Sequence, residues 1–245
     1  MKISVAMAYY NGKDYIKEQL NSILEQLQED DEVIISMDGA EDGSEQLLLD
    51  LAKKDSRIRL IDGPKQGVVR NFENALMHCQ GEIIFLSDQD DVWVKGKVKK
   101  ILRGFEKSGA MAILHNGMLV DENDKEIGGK TLFELRKSRP GIGKNLIKNS
   151  YVGCCMAFRR ELLAVILPIP QEMYMHDYWI GTAAEMAGGV AFIKEPLIRY
   201  RRHGANVTQM RHGSIGFMIK KRFDIIKCLR ILRRRLKENR NHDNE

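Results

Sequence analysis

Three carboxylates stand close together near the middle of the chain. Asp88, Asp90 and Asp91 follow directly after an apolar run at residues 83–86. Carboxylates this close repel one another unless a cation lies between them, and hard oxygen ligands suit Mg²⁺ or Mn²⁺. The pattern therefore predicts a divalent-cation site of the kind that holds a diphosphate. A solvated acidic turn is the alternative, because so short a pattern also occurs by chance.

The apolar run before these acids is typical of a buried central strand. It begins after Gly81 and ends at the acids, which places them at the carboxyl end of the strand. Open α/β sheets bind their ligands at that edge. We therefore expect the three carboxylates to face a ligand-binding cleft.

Strands and helices alternate through the first half of the chain. The pattern predicts strands at residues 3–8, 33–36, 58–61 and 83–86, a loop at 9–12, and helices at 15–27, from the N-cap Ser44 through 51, and at 71–79. This order is typical of parallel βαβ units in a doubly wound α/β sheet flanked by helices.

The second half is less regular. Strands are expected at 112–120, 152–158, 190–193 and 197–202, with helices at 160–166 and from the segment 174–179 through 187. Residues 125–143 are polar and contain glycines, which favours a mobile loop.

Composition places the chain among ordinary globular proteins. Its 245 residues are 43% hydrophobic and 30% charged, which argues against a disordered or fibrous protein. The length fits one large domain with a short appendage. The formal net charge of +5 is uneven, because residues 211–245 hold 11 Lys or Arg against 4 Asp or Glu. We therefore predict a main domain over 1–210 and a basic tail over 211–245.

The cysteines and the N-terminus bear on the compartment. Cys79, Cys154, Cys155 and Cys228 lie in apolar surroundings without a C-x-x-C pair, which favours buried thiols in a reduced cytoplasm. The apolar run at residues 3–8 is too short for a signal peptide, and no window reaches the ~18 apolar residues of a membrane span. We expect a cytoplasmic protein that does not cross a membrane.

Six separated segments resemble the inverting family-2 glycosyltransferases of the GT-A fold, especially their bacterial rhamnosyltransferase-like branch. The segments are SVAMAYYN at 4–11, MDGAEDGS at 37–44, GVVRNF at 67–72, LSDQDDVW at 86–93, HDYW at 176–179 and YRRH at 200–203. They follow the family's order over roughly residues 3–208, which makes the resemblance specific although each segment alone is short.

The resemblance implies roles for individual residues. A nucleotide-sugar donor would be bound by Ala8, Tyr9, Asn11, Asp38, Arg70 and Asp88. Asp90 would be the principal ligand of Mn²⁺ or Mg²⁺, His203 would complete that site, and Asp177 would be the catalytic base. Possible contacts to the sugar or the acceptor are Asp91, Trp93, His176 and Trp179.

Two positions depart from the family's pattern. Met37 stands where many relatives have the first of two aspartates, so Asp38 alone is left to recognise the base. His176 replaces an acidic neighbour of the catalytic base.

Each assignment also has a structural alternative. Asp177 is also a suitable N-cap for the helix that follows it, and His203 could be a structural histidine. Arg70 could be a surface charge at a helix start, although its Gly-led loop favours a phosphate contact. Trp93 and Trp179 are most simply core or wall aromatics.

The implied activity is the metal-dependent transfer of a sugar with inversion, in polysaccharide or cell-envelope synthesis. A cation would neutralise charge on the departing nucleoside diphosphate, and a base would take the proton of the acceptor hydroxyl. dTDP-L-rhamnose is the first choice of donor, with a UDP-hexose or UDP-N-acetylhexosamine as the alternative. The expected acceptor is lipid-linked or a polysaccharide. A protein of the same fold that binds nucleotide sugars without turnover is the alternative from another class.

The tail reads as a basic amphipathic helix from residue 215 to 236. Apolar residues recur at helical spacing: Met218, Ile225, Leu229, Leu232 and Leu236. Cations lie largely opposite them: Lys220, Lys221, Lys227, Arg234 and Arg235. Such a helix suits an anionic membrane surface at the cytoplasmic face, whereas packing on the main domain is the alternative. Nucleic acid is not expected as a partner, because no aromatic residues interleave the charges.

Overall fold

A computed structural model describes residues 1–147, 149–203 and 215–242. Eight strands in this part of the chain form one sheet in the order β3-β2-β1-β4-β7-β6-β8-β5. The strands are β1 (Ile3–Tyr10), β2 (Glu32–Gly39), β3 (Ile58–Asp62), β4 (Ile83–Ser87), β5 (Val92–Trp93), β6 (Ala112–Val120), β7 (Met156–Arg159) and β8 (Val190–Arg201).

The helices flank this sheet. They are α1 (Lys13–Leu24), α2 (Glu45–Lys54), α3 (Val68–Met77), α4 (Lys97–Ser108), α5 (Leu132–Arg136), α6 (Ile142–Ile147), α7 (Leu163–Ile166), α8 (His176–Ala187) and α9 (Ile215–His242). Helix α3 packs on β1 and β2, while α4 packs on β6 and β8. The predicted α/β class with helices around a central sheet is therefore correct.

The sheet is mostly parallel but not uniformly so. Strands β3, β2, β1 and β4 run parallel, as the βαβ pattern predicts, and β8 runs parallel to β6. Strand β7 is antiparallel to both of its neighbours, β4 and β6, and β5 is antiparallel to β8. The carboxyl end of β8 thereby comes beside the residues that follow β4.

The apolar run that precedes the acids occupies the centre of this sheet. Ile84, Phe85 and Leu86 have no exposed surface, because β4 lies between β1 and β7 and is covered on both faces. Burial of these side chains fixes where β4 ends. It thereby fixes the position of Asp88, the first of the three carboxylates.

Several elements differ from the sequence-based prediction. The loop expected at 9–12 is partly strand, because β1 continues to Tyr10. The segment 125–143, expected to be a mobile loop, contains α5 and the start of α6. Strand β8 is continuous where two strands were expected, with a register shift near Pro196 that absorbs the interruption. Ser44 does precede α2, but its hydroxyl contacts Asp42 instead of capping the helix.

Helix α9 packs on the main domain over the part whose side chains are described. Ile225, Cys228 and Leu232 are buried, in contact with the region of α7 and α8. Arg235 was expected on the polar side, but its guanidinium donates to the carbonyls of Val165 and Pro168 at 3.0 and 2.9 Å. The structural alternative for the tail therefore holds for these residues. The predicted boundary at residue 210, and the side chains of Met218, Lys220 and Lys221, lie outside what the structure describes.

The burial of the cysteines agrees with the sequence-based prediction. All four cysteines are buried and unbridged. None of the helices in the described part of the chain combines the length and apolar composition that a membrane crossing needs.

Candidate active site

A cavity of about 420 Å³ opens at the carboxyl ends of β1 and β2, next to the start of α3. Ala8, Tyr9 and Asp38 line it, so three of the residues predicted to bind a nucleotide meet at one place. Asn11 stands beside the cavity, where its amide donates to the Glu41 carboxylate at 2.9 Å, and Glu41 itself lines the wall. Sequence reasoning missed Glu41, because nothing in its local pattern separates it from other loop acids.

Asp38 is held against the cavity wall by the next strand connection. Its Oδ1 accepts the backbone N–H of Lys65 at 2.8 Å. A Cβ at Gly63 would lie 2.5 Å from that same oxygen, so this close approach requires glycine. The carboxylate of Asp38 is thus fixed at the cavity wall.

Arg70 does not line the cavity, although it lies in the first turn of α3. Its guanidinium pairs with Glu73 of the same helix and donates to the carbonyl of Ile169 at 2.8 Å. The side chain would have to leave both partners to reach a nucleotide. Its role as a nucleotide contact stays a prediction.

The acid loop, residues 88–91, lies beside this cavity and meets the end of β8. His203 Nε2 is 2.8 Å from Asp90 Oδ2, and the ring of Tyr15 stacks on His203 with centroids 4.7 Å apart. The two residues predicted to hold a cation are therefore in contact. Their roles as ligands remain predictions.

Arg201 fixes the acid loop from the other side. Its backbone N–H donates to Asp91 Oδ1 at 3.0 Å, and its Nε donates to the carbonyl of Asp90 at 3.0 Å. Its guanidinium also pairs with Glu18 of α1 at 2.6 Å. Asp91 is 1% exposed and faces this backbone, so the structure does not present it to a sugar as the sequence analysis expected.

Crowding and burial leave the negative charges of the carboxylates in this loop poorly neutralised. Burial, with the charges of Asp90 and Asp177 nearby, raises the pKa of Asp88 to about 7. Burial and the charges of Asp90 and Asp88 also raise the pKa of Asp91. A divalent cation would relieve this repulsion, and oxygen donors suit Mg²⁺ or Mn²⁺. The residues therefore fit a divalent cation.

A second grouping overlaps the first. One ligand atom from each of Asp88, Asp91 and Cys154 lies within 4.8 Å of the others. Cys154 is fully buried and its thiol has a raised pKa, chiefly through Cys155 and burial, so it holds its proton. Carboxylates of the acid loop therefore occur in both sets of possible metal ligands, the one around Asp90 and His203 and the one around Asp88, Asp91 and Cys154.

A buried lysine lies beside Cys154 and Trp93. Lys97, at the start of α4, is 1% exposed, donates from Nζ to the carbonyl of Cys154 at 3.1 Å, and lies 4.1 Å from the ring centre of Trp93. Burial lowers the pKa of Lys97 to about 8. Trp93 is therefore a core residue whose ring packs against the Lys97 ammonium, and it is not a sugar contact. The sequence analysis assigned no helix here and so missed Lys97.

Asp177 lies in the first turn of α8, where the helix begins at His176 and Met175 occupies the N-cap position. Asp177 is therefore not the N-cap of this helix, which was the structural alternative to its role as catalytic base. It is 6% exposed, and its Oδ1 accepts the N–H of Tyr178 at 2.6 Å. Its charge contributes to the raised pKa of Asp88, after burial and the charge of Asp90, so the two carboxyls are near enough to interact electrostatically.

The environment of Asp177 suits a proton acceptor. Burial raises the pKa of Asp177 to about 6, while Arg136 and the N–H of Gly153 act to lower it. A carboxylate with this pKa is ionised at neutral pH yet basic enough to take a proton. Its role as the base stays a prediction.

The aromatic neighbours of Asp177 are structural. His176 stacks on Phe72 with ring centroids 3.9 Å apart, and burial lowers the pKa of His176 to about 3, so the ring is neutral. Neither ring nitrogen has a hydrogen-bond partner among the described residues. Trp179 is fully buried and donates to the carbonyl of Ile166 at 2.8 Å. Neither side chain is presented to a sugar or an acceptor, contrary to the sequence-based expectation.

Two solved structures similar to this chain contain bound nucleotide sugars. S. aureus TarS, solved in complex with UDP-GlcNAc, superposes with a TM-score of 0.68 at 17% identity, over 87% of this chain and 62% of that chain. The mannosyltransferase PcManGT from Pyrobaculum calidifontis, in complex with GDP-Man and Mn²⁺, gives a TM-score of 0.61 at 17% identity, over 96% and 74%. At such identities the likeness establishes the fold, and the predicted GT-A class is confirmed.

Curated relatives share more of the sequence. TuaG of Bacillus subtilis (strain 168), named for teichuronic acid biosynthesis, is 35% identical over 81% of this chain and 74% of its own length. The dTDP-rhamnosyl transferase RfbG of Shigella flexneri is 25% identical, over 82% and 75%. WfgD of Escherichia coli, named as a UDP-Glc:alpha-D-GlcNAc-diphosphoundecaprenol beta-1,3-glucosyltransferase, is 25% identical, over 73% and 67%.

The family assignment follows from the extent of these matches. The glycosyltransferase alr2836 of Nostoc is 29% identical over 84% of this chain, and the matched region covers 66% of the length of alr2836. The match to EpsH of Bacillus subtilis covers 62% of the length of EpsH. Residues 4–167 match the family described as Glycosyl transferase family 2. This match covers the cavity, the acid loop and the buried lysine, and the chain therefore belongs to glycosyl transferase family 2.

Proposed function

We propose that this chain is a metal-dependent inverting glycosyltransferase that moves a sugar from a nucleotide-sugar donor to an acceptor hydroxyl. One observation carries the proposal: the acid loop contacts His203 through Asp90, lines a cavity of about 420 Å³ through Gln89, and interacts electrostatically with the buried carboxylate of Asp177 through Asp88. A nucleoside diphosphate and a proton acceptor would then flank the same sugar. Opposite placement of leaving group and base is the requirement for a single displacement with inversion.

The acid loop and His203 would hold the cation. Asp90 and His203 are the proposed ligands, and Asp88 of the same loop is a further candidate. When bound, Mg²⁺ or Mn²⁺ neutralises charge that develops on a departing diphosphate. Arg201 keeps Asp90 and Asp91 in place through its two hydrogen bonds to the loop.

Asp177 would take the proton of the acceptor hydroxyl. Its burial excludes water, and its hydrogen bond to the N–H of Tyr178 fixes the orientation of the carboxylate. A positioned base of this kind contributes about 10²–10⁴-fold to a rate. His176, neutral and stacked on Phe72, would anchor the start of α8 and so position the base.

The donor is proposed to be dTDP-L-rhamnose, with a UDP-hexose or UDP-N-acetylhexosamine as the alternative. The rhamnosyltransferase RfbG supports the first, and WfgD and the UDP-GlcNAc complex of TarS support the second. Asp38, Tyr9 and Ala8 are the residues proposed to contact the nucleotide.

The acceptor is proposed to be a lipid-linked or polysaccharide intermediate at the cytoplasmic face of a membrane. The name of WfgD supports a diphosphoundecaprenol-linked acceptor. The outer side of α9 would then contact the anionic surface, because its inner side is occupied by the domain. That outer side exposes two apolar residues, Phe223 at 63% and Ile226 at 46%. It also exposes five cations: Lys227, Arg230, Arg233, Arg234 and Lys237.

A screen of donor hydrolysis tests the proposal. Purified protein with Mn²⁺ would be incubated with dTDP-L-rhamnose, UDP-glucose and UDP-N-acetylglucosamine, and release of the nucleoside diphosphate measured. Turnover of one donor, absent with EDTA and in Asp90→Ala, is the expected result. A protein that binds donors without any turnover, with or without a polyprenyl-linked acceptor, would instead be the inactive binding protein.

A further inference from the structure

The side chain of Gln89 makes two hydrogen bonds to one backbone residue. Its Oε1 accepts the N–H of Tyr10 at 2.7 Å, and its Nε2 donates to the C=O of Tyr10 at 2.7 Å. A neighbouring parallel strand engages the N–H and C=O of one residue in this way. The carboxamide of Gln89 therefore acts as the strand partner of Tyr10.

Strand β1 needs such a partner because it is longer than its neighbour. Strand β4 pairs with β1 only as far as Met7 opposite Ser87, whereas β1 continues to Tyr10. Beyond Ser87 the chain leaves the sheet as the acid loop. Backbone groups at Tyr10 would otherwise lack a partner on that side, and Gln89 satisfies both of them.

The same two residues line the cavity proposed for the nucleotide. Gln89 faces β1, while the next residue, Asp90, contacts His203 at the end of β8. The acid loop is thus tied to two different parts of the sheet at successive residues. The hydrogen bonds of Gln89 to Tyr10 lie at the nucleotide cavity, and the contact of Asp90 with His203 lies at the proposed cation site.

Gly12 leaves room for this arrangement. A Cβ at Gly12 would lie 2.6 Å from both Cδ and Nε2 of Gln89. The φ of Gly12 is −120°, a value that any residue adopts, so space and not backbone conformation calls for glycine here. The absence of a side chain at Gly12 leaves the space that the carboxamide of Gln89 occupies.

We propose that Gln89 is a positioning residue that holds the acid loop in register with the nucleotide cavity, so that the cation and the diphosphate of the donor bind together. This inference rests on the proposed function and adds a residue to it. Gln89 acts through the acid loop and makes no contact with reacting atoms. Its loss should therefore reduce only the part of nucleotide affinity that depends on the cation.

The test compares nucleotide affinity with and without the cation. UDP and dTDP would each be titrated by calorimetry into wild type and Gln89→Ala, in Mn²⁺ and in EDTA. In Mn²⁺ we expect affinity to fall roughly tenfold in the variant, as for the loss of two hydrogen bonds, and in EDTA by less than about twofold. Melting temperatures would be recorded for each protein.

Two further variants sharpen the comparison. Gly12→Ala leaves Gln89 in the chain but displaces its carboxamide, and should show the same selective loss in Mn²⁺. Gln46→Ala removes a glutamine of α2 that bonds Asp50 away from the site, and should change neither affinity. If Gln89→Ala does not fold, Gln89→Met keeps the length of the side chain without charge and removes both hydrogen bonds, and the same selective loss is expected.

Three outcomes would overturn the inference. An equal loss of nucleotide affinity in Mn²⁺ and in EDTA would show that Gln89 merely lines the cavity and does not position the acid loop. Unchanged affinities in Gln89→Ala, with normal affinity also in Gly12→Ala, would remove any positioning role. Wild-type protein that binds neither nucleotide more tightly in Mn²⁺ would overturn the metal dependence of the proposed function together with this inference, and the wild-type arm alone reveals that failure.

Discussion

His203 Nε2 lies 2.8 Å from Asp90 Oδ2, although 113 residues separate the two in the chain. Strand β8 makes this contact possible, because it runs parallel to β6 and delivers its carboxyl end beside the residues that follow β4. Strand β5, which follows the acid loop directly, pairs with β8 through Val92 opposite Arg199 and so brings the loop to the end of β8. The proposed cation site would thereby combine residues from the two halves of the chain.

Removing Asp90 tests the proposed cation site. Asp90→Ala should abolish Mn²⁺-dependent binding of UDP and dTDP while the fold is kept, because loss of one carboxylate relieves repulsion in the acid loop. His203→Ala should weaken Mn²⁺ binding, measured by electron paramagnetic resonance. Asp50→Ala, an exposed acid on α2, is the control. Unchanged Mn²⁺-dependent affinity in Asp90→Ala would refute its assignment as a ligand.

The packing of α9 on the domain predicts a difference between two apolar residues of that helix. Leu232→Ala should reduce the free energy of unfolding by about 2–5 kcal/mol, because Leu232 is 1% exposed. Ile226→Ala, on the outer side, should change it by no more than about 0.5 kcal/mol. Denaturant titration measures both. Equal, small effects would show that α9 does not pack as described.

The outer side of α9 can be tested separately from its inner side. Arg230→Glu, Arg233→Glu and Lys237→Glu combined should weaken binding to vesicles of anionic lipid by about two orders of magnitude or more, at about 1 kcal/mol for each cation lost. Co-sedimentation measures this binding. The matched control is Lys53→Glu, Lys54→Glu and Lys99→Glu combined, which reverses three exposed lysines of α2 and α4. Equal binding by both proteins would exclude this face as the membrane contact.

The raised pKa of Asp177 predicts how transfer depends on pH. A base must be ionised, so kcat/KM should fall as the pH is lowered through about 6. The assay needs Mn²⁺ at saturation throughout, because the pKa of Asp88 is also raised, to about 7, and a bound cation suppresses its protonation. A rate that stays level between pH 7 and pH 5 would contradict a base with this pKa.

The sequence predicted the elements that carry strong apolar periodicity. Strand β6 has the predicted bounds, and the run at 83–86 makes up all of β4 except Ser87. Helix α4 was missed even though Val98, Ile101 and Phe105 are buried at helical spacing, because lysines and an arginine dilute the pattern. Strand β8 was divided in two because Pro196 suggests an interruption that the register shift absorbs.

Local sequence could not reveal what each acid of the loop contacts. Asp90 and Asp91 are adjacent, yet Asp90 meets His203 while Asp91 faces the backbone of Arg201. That difference depends on β8, which is far away in the sequence. Gln89 and Lys97 were missed for the same reason, since their partners Tyr10 and Cys154 are brought to them only by the sheet.

The substitution Asp177→Asn tests the central claim most directly. Asparagine keeps the shape of the side chain and an oxygen for the N–H of Tyr178, but it cannot take a proton at neutral pH. The account predicts that the transfer rate falls by about two to four orders of magnitude, with donor affinity and melting temperature nearly unchanged. A near-normal transfer rate in this variant would contradict the assignment of Asp177 as the base.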